Sequence, residues 1–365
     1  MSKKKKAAGT TVVDTSMFST AEECLAESVS NVLIPVGPAL DLKLRGGIPS
    51  GSFVLIRTLP KVGKSSLAMQ IAVNALAQGR YVVYCDIERR LEGDKYFQYR
   101  GFDPKNPKFI VFRAKKGEEL ISGDDIYTNI KNMMMMPKYR GAVYIIDSFS
   151  KVTPKATLED NTIRADRRDG TPKLNADFCK KVGNLVRISD SVVIGIQHFI
   201  TDPSQNPMFG DTLKPDGGNK LEYDADIVLE SKSKPKMWDG KSINLSENQE
   251  LPGLMLRLNM PYNKRGAPYV SKMEPIECFI KFGEGIWWAK EAFEVVKTLG
   301  LCDIKGHTYN FTMPDGTTKS AKGMDNAVAL LESEREVFEK VLRDYFITKY
   351  KANYTFVPPE DEDDE

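Results

Sequence analysis

The residues Thr58-Leu59-Pro60-Lys61-Val62-Gly63-Lys64-Ser65-Ser66 carry the most explicit chemistry in this chain. They follow an apolar run, Phe53-Val54-Leu55-Ile56-Arg57, and open a stretch in which Leu67, Ala68, Ile71, Ala72 and Ala75 recur at helical spacing. Strand, turn and helix in that order make a cradle for phosphate. Backbone N–H groups of the loop and helix start bind the oxygens, Lys64 reaches the terminal phosphates, and Ser65 ligates Mg²⁺. All nine residues, Thr58, Leu59, Pro60, Lys61, Val62, Gly63, Lys64, Ser65 and Ser66, are therefore candidate nucleotide contacts. Thr58 stands where the G-x-x-x-x-G-K-[ST] pattern has its first glycine, at a position expected to need a tight backbone path.

Such a loop needs a carboxylate at a neighbouring strand end to hold the hydrated metal. Val143-Tyr144-Ile145-Ile146-Asp147 provides one in Asp147. A second acidic end, Tyr84-Cys85-Asp86-Ile87-Glu88, offers a carboxylate to polarise an attacking water. Taken alone, that second end reads better as an ordinary solvated strand terminus. The five cysteines form no C-x-x-C pair and there are only two histidines, so reduced thiols and no zinc centre are expected.

The elements that must position these groups can be read from hydrophobic periodicity. Short apolar runs at 53–57, 81–86, 109–112, 143–147, 192–197, 226–229, 254–258 and 276–282 are strand candidates. Helical or long crossover stretches separate the first five, which predicts βαβ units and a parallel sheet with helices on both faces. The later strands follow one another closely and are expected to form an antiparallel extension. A length of 365 residues, 41% hydrophobic and 28% charged, suits a large core and excludes collagen, a mostly disordered chain or a disulfide miniprotein. No apolar run reaches membrane-spanning length, and the lysine-rich start has no apolar signal core behind it. A cytoplasmic protein is expected.

The ends differ from the middle. Residues 1–34 read as a basic arm and a short helix capped by Ser19-Thr20-Ala21-Glu22; 35–288 form the core; 289–357 form a small appendage. In that appendage 291–299 reads as a helix and Pro314-Asp315-Gly316 as a hairpin turn. Ser333-Glu334-Arg335-Glu336 reads as a capping box opening a helix to about Tyr350. Residues 358–365 are an acidic tail. Without the six acids at 360–365, the net charge of +2 becomes +8, a mildly basic body compatible with nucleic acid. The tail reads either as a solubilising end or as a shield over nucleic-acid-binding loops.

With these residues in view, the sequence resembles the RecA-family recombinases over roughly residues 35–288. Gly46-Gly47-Ile48-Pro49-Ser50-Gly51 resembles the family's approach to its first strand. Asp86-Ile87-Glu88 resembles its Asp-Ala-Glu, which implies that Glu88 is the catalytic carboxylate. Asp147-Ser148-Phe149-Ser150-Lys151-Val152-Thr153-Pro154-Lys155-Ala156 resembles the metal-holding strand and its exit. Met208-Phe209-Gly210, then Gly217-Gly218-Asn219-Lys220-Leu221, resembles the second DNA-binding loop in spacing. Asn263-Lys264-Arg265-Gly266-Ala267-Pro268 and Phe282-Gly283-Glu284-Gly285-Ile286 complete the core.

The departures are informative. His198 stands where bacterial members have a glutamine that senses the γ-phosphate, and a histidine there resembles phage UvsX-type recombinases. Bacterial members place two lysines onto the neighbouring protomer's ATP; Lys264 matches one, Tyr262 occupies the other position, and Arg265 is a candidate substitute. The first DNA loop, 157–173, carries Arg164, Arg167, Arg168 and Lys173 among four acids, with an arginine in place of the family's apolar wedge.

The resemblance implies an α/β fold: a RecA-like P-loop ATPase core with a twisted, mostly parallel sheet, a short N-terminal helical arm and a small C-terminal α+β appendage. It implies a DNA-dependent ATPase using ATP and Mg²⁺, forming helical filaments on single-stranded DNA and exchanging strands with homologous double-stranded DNA. The roles follow residue by residue. Lys64, Glu88, His198 and Lys264 are catalytic, and Ser65 and Asp147 hold the metal. The DNA contacts are Arg164, Arg167, Arg168, Lys173, Phe199, Met208, Phe209, Gly210, Lys214, Gly217, Gly218, Asn219 and Lys220, with Phe199 or Phe209 as a wedge between bases. Single-strand-binding and mediator proteins are implied partners, in a bacterial or phage-infected cell. Two other readings share the loop: a helicase-like or repair ATPase on the same core, and a non-catalytic mediator or filament protein. Turnover separates the last from the rest.

Overall fold

A computed structural model describes residues 18–24, 31–91, 98–160, 162, 170–202, 213–236, 253–265 and 274–359. The chain divides into two compact units, Met1–Asn31 and Val32–Glu365. In the first, residues 21–24 are helical, and the capping box lies one residue later than the sequence suggests. Glu23 N donates to Thr20 Oγ1 (3.2 Å) while Thr20 N donates to Glu23 Oε2 (2.7 Å).

The second unit begins with a small antiparallel pair, β1 (Leu33–Ile34) and β2 (Ile48–Pro49). The main sheet is built from β3 (Ser52–Thr58), β4 (Val82–Asp86), β5 (Phe109–Phe112), β6 (Val143–Asp147), β7 (Val192–Thr201), β8 (Leu213–Pro215), β9 (Ile227–Ser231), β10 (Gly253–Asn263), β11 (Ile276–Lys281) and β12 (Gly285–Ile286). Its order is β12-β11-β10-β9-β3-β7-β6-β4-β5, with β8 paired to β7. The strands from β9 through β5 run parallel and β10, β11 and β12 antiparallel, so the sheet is mixed and mostly parallel.

Helices cover both faces, which explains why β3, β4 and β6 are buried along their whole length and read as unbroken apolar runs. Side chains alternate across the pleat. Val54 and Ile56 join a core with Leu67, Ile71 and Ala75 of the helix Lys64–Ala77. Phe53 and Leu55 face the other way, onto a core with Ile130 and Val182 of the helices Gly123–Met134 and Thr171–Ile188.

One expectation is corrected. The strand near 226–229 belongs to the parallel part: Ile227 pairs with Val54 and Ser231 with Thr58. The connection from β7 crosses the sheet through β8 and a five-residue helix, Lys220–Asp224, too short to register as a helical period in the sequence.

Beyond β12 the helix Trp288–Thr298 leads into β13 (Cys302–Lys305), β14 (Thr308–Thr312) and β15 (Thr318–Lys322), an antiparallel meander carrying the expected hairpin. The helices Met324–Ser333 and Arg335–Tyr350 close a third core around Phe293, Phe311 and Phe338. The expected capping box at Ser333 does not form. Ser333 ends the preceding helix and its hydroxyl donates to Leu330 O, so Glu334 is the N-cap and caps through no side-chain bond. Glu291, 1% exposed, ties the appendage to the core by accepting bonds from Ala39 N (3.1 Å) and Phe279 N (3.0 Å).

Residues 351–359 then run back over the core. Leu33 N donates to Asn353 O and Tyr354 Oη to Gly46 O. The Phe356 ring lies 4.0 Å from the Arg80 guanidinium carbon, and a Cβ on Gly141 would come within 2.3 Å of that ring, so glycine makes room for it.

Candidate nucleotide site and the loops beside it

Thr58, Asp86, Asp147 and His198 all fall at the C-terminal ends of parallel strands, with Thr58 in register with His198 and Asp86 with Asp147. Open α/β sheets present their ligand sites at this edge. The loop leaves β3 at Thr58, which is fully buried and still paired on both sides as strand. An extended backbone suits threonine, and this is why the missing glycine causes no strain. The tight bend comes later, at Gly63 with φ 95°, where the helix Lys64–Ala77 begins.

Lys64 is 5% exposed and folds back over the loop. Its Nζ donates to Leu59 O (2.9 Å), Thr58 Oγ1 (3.2 Å) and Thr58 O (3.3 Å). Burial pushes the ammonium down to about 8, against the opposing pull of Asp147. Val62 is buried beneath the loop, while Pro60 and Lys61 are exposed above it. Leu59, Ser65 and Ser66 lie half-buried along its rim.

Ser65 Oγ donates to Asp147 Oδ2 at 2.8 Å, and Tyr84 Oη donates to the same oxygen at 2.8 Å. Burial raises the Asp147 carboxyl above its ordinary value, and the two hydroxyls work against that rise. Tyr84 is a partner the sequence does not announce, because a tyrosine inside a strand reads as core.

Glu88 sits beside this pair, with a side chain only 6% exposed. Its Oε1 accepts from Ser148 Oγ (2.6 Å) and from His198 Nε2 (2.9 Å), and its Oε2 pairs with the Arg90 guanidinium. Burial pushes its carboxyl up, but the His198 and Ser148 bonds and the Arg90 charge outweigh burial and hold it at about 2. Glu88 is thus ionised at neutral pH. Asp86 acts on the backbone instead, where its carboxylate accepts from Arg90 N (2.7 Å) and Leu91 N (3.2 Å) and shapes the turn.

The site connects to the second loop through β7. His198 O accepts from Asp216 N (2.9 Å), and the buried Gln197 donates Nε2 to Asp216 O (2.7 Å). Asn175, fully buried on the helix Thr171–Ile188, donates to Gly217 O (2.9 Å) and Phe149 O (3.3 Å) and accepts from Tyr127 Oη. Gly218 follows, and Asn219 is the N-cap of the helix Lys220–Asp224.

The expected DNA contacts divide. Lys214 and Lys220 are exposed and hold Asp202 (3.4 Å) and Asp224 (3.0 Å). Lys173 is exposed on a groove of about 960 Å³ that Lys220 also lines. Phe199 departs from expectation: it is 5% exposed, with the Arg57 guanidinium 5.8 Å and the Lys232 ammonium 5.6 Å from its ring centroid, so it is packed inside rather than presented as a wedge. Arg164, Arg167, Arg168, Met208, Phe209, Gly210, Ala267, Pro268 and the acidic run 360–365 lie outside the described residues.

Lys264 stands apart from the rest. It follows Asn263, which pairs with Ile227 at the start of β9, and Ile227 in turn pairs with Val54 early in β3. That places Lys264 at the opposite end of the sheet from Lys64 of the same chain. Its Nζ donates to Tyr223 O at 2.6 Å, and Arg265 donates to Ser50 O at 2.8 Å.

These residues fit a magnesium–nucleoside triphosphate. Ser65 and Asp147 already share a hydrogen bond of the kind that orients a hydroxyl toward a hard cation, and the donor set is all oxygen. Lys64 offers a charge whose present partners are neutral carbonyls and a hydroxyl. Among the described residues, no helix is long and apolar enough to cross a membrane.

The family model for the RecA N-terminal domain matches residues 17–287. Protein RecA of Aquifex aeolicus (strain VF5) is 25% identical over 317 residues, covering 86% of this chain and 83% of that protein. Protein RecA of Geobacter sulfurreducens is 25% identical over 326 residues, covering 88% and 86%. Protein RecA of Caulobacter vibrioides is 24% identical over 330 residues, covering 87% and 81%.

Proposed function

This chain belongs to the RecA N-terminal domain family, and we propose that it is a DNA-dependent ATPase of homologous recombination. It forms helical filaments on single-stranded DNA and exchanges strands with homologous double-stranded DNA. The observation that carries this reading is the continuous path from Lys64 and the Ser65–Asp147 pair, through Glu88 and His198, to Asp216 at the base of the second loop.

Ser65 and Asp147 would hold Mg²⁺, which when bound would neutralise phosphate charge. Lys64 exchanges its carbonyl and hydroxyl partners for phosphate oxygens. Glu88, ionised at neutral pH, orients the attacking water once an oxygen is freed from Ser148 or His198. His198 then reports that change along β7 to the loop, whose lysines Lys214 and Lys220 exchange aspartates for DNA phosphates. The arginines 164, 167 and 168, with Lys173, supply the first loop's cations, and Phe209 supplies the stacking ring.

The position of Lys264 supports action on the next protomer's nucleotide, since it cannot meet its own. Protomers related that way assemble head to tail in an open helix. The histidine at 198 and the appendage favour kinship with phage UvsX-type recombinases, working in the cytoplasm of a bacterial or phage-infected cell. Single-strand-binding and mediator proteins are the partners this role calls for.

The test is ATP turnover with and without single-stranded DNA across a salt series. Stimulation that fades with salt supports the reading; ATP binding without any stimulation points to a mediator or another ATPase on this core.

A further inference from the structure

Arg90 belongs to no motif in the sequence, yet the turn after β4 aims it at the phosphate edge. Asp86 fixes that turn from both carboxylate oxygens, through Arg90 N and Leu91 N, while Ile87 N and Glu88 N donate to Asp147 O (3.1 and 3.3 Å). Arg89, in the middle, takes φ 51°. The backbone at Arg90 is thus pinned to two neighbouring strands, and its guanidinium returns over the strand ends to pair with Glu88 Oε2.

One feature separates this pair from a structural ion pair. The Arg90 side chain is 50% exposed while that of Glu88 is 6% exposed, so the arginine approaches from the open side and is not locked in the core. Arg90 therefore stands with Glu88 at the strand ends, and Glu88 in turn holds Ser148, the neighbour of Asp147.

We propose that Arg90 is a catalytic cation supplied in cis, which leaves Glu88 for the terminal phosphate of a bound nucleoside triphosphate. The exchange places a planar double donor on the oxygens where charge develops. It also frees Glu88 Oε2 to accept a hydrogen bond from the attacking water. A nucleoside diphosphate offers no terminal phosphate, so the arginine stays on Glu88 and the carboxylate stays engaged.

The inference rests on the proposed ATPase reading, and its test separates the two. Affinities of ATP and ADP are measured by fluorescent-nucleotide displacement, and turnover with single-stranded DNA alongside, for wild type, Arg90→Ala and Arg90→Lys. In Arg90→Ala the ATP affinity is expected to fall about tenfold toward that of ADP, with ADP unchanged, and kcat by about a hundredfold or more. Arg90→Lys keeps the charge without the fork, so it recovers ATP preference in part and kcat little. The side chain makes none of the turn's backbone bonds, so the fold is expected to survive both changes. Unchanged ATP-over-ADP preference in Arg90→Ala overturns the proposal while wild-type turnover leaves the ATPase reading standing. Faster turnover without DNA in Arg90→Ala also overturns it, making the arginine a brake on Glu88. A wild-type protein that binds no ATP overturns both.

Discussion

His198 holds Glu88 by its side chain, Nε2 to Oε1 at 2.9 Å, and holds the base of the second loop by its backbone, its carbonyl accepting from Asp216 N. One residue therefore touches the Glu88 carboxylate and a loop stem at once. His198→Ala is expected to leave ATP affinity within about threefold of wild type and to remove most of the stimulation by single-stranded DNA. His198→Gln, whose amide can donate to Glu88, restores part of it. The ratio of turnover with and without DNA is the readout, and an unchanged ratio in His198→Ala removes the histidine from the coupling path.

Glu88→Gln keeps the shape of the site but cannot accept a water proton. ATP-dependent DNA binding is expected to persist while turnover falls by about a hundredfold or more. Filter binding alongside phosphate release measures both; normal phosphate release would reassign the role of Glu88.

Lys64, pushed down to about 8 by burial, is largely neutral above that pH in the free protein. Phosphate oxygens favour its charged form, so ATP binding at about pH 9 should take up a proton, and binding near pH 6.5 should take up none through Lys64. Calorimetry in two buffers of different ionisation enthalpy counts the protons. Equal proton counts at both pH values would place Lys64 outside the phosphate contacts.

Asn175 satisfies two buried carbonyls with one amide, at Gly217 and Phe149. Asn175→Ala leaves both acceptors and the Tyr127 hydroxyl unpaired and is expected to cost about 1–3 kcal/mol of stability. Because Gly217 belongs to the second loop's stem, DNA affinity should fall as well. Denaturant melts and DNA titrations of the same variant test the two effects; loss of stability with wild-type DNA affinity would confine Asn175 to the core.

Glu291 is pushed up to about 8 by burial, against the bonds from Ala39 N and Phe279 N. A carboxyl whose folded value lies above its unfolded value binds more protons in the folded state. Its contribution is complete below about pH 4.5 and is lost as pH rises through 8. The stability gap between wild type and Glu291→Ala should therefore narrow from pH 5 to pH 9, by an amount on the order of a few kcal/mol. Denaturant midpoints at the two pH values decide; a widening gap contradicts a protonated Glu291.

The parts of this protein that sequence makes legible are those whose chemistry is local. The loop 58–66 carries its own strand and helix, and Asp147 ends an unmistakable buried run. What stays hidden depends on partners distant in sequence. Tyr84 reaches Asp147 only because β4 lies beside β6, and Arg90 reaches Glu88 only because Asp86 turns the chain back. The parallel setting of β9 is concealed by a five-residue crossover helix. Phe199 reads as available in sequence, whereas the fold buries it, with Arg57 and Lys232 near its ring. Ser333 matches a capping pattern, but the turn between two abutting helices leaves its hydroxyl to the earlier one.

The segment 351–359 turns the appendage from a pendant into a closed loop of chain. Joined to the core at Trp288 and pinned again at Asn353, Tyr354 and Phe356, the appendage is tethered at both ends. A single hinge permits swinging; two anchors leave little. The closure entropy of about sixty residues is already spent in the folded state. A label or fusion partner joined after Pro359 would thus leave from the Gly79–Gly141 side, against which Pro358 and Phe356 pack. That side lies at the far end of the sheet from the loop 58–66 and shares Ser50 with Arg265, next to Lys264, so a bulky partner there is expected to hinder the head-to-tail contact proposed for Lys264.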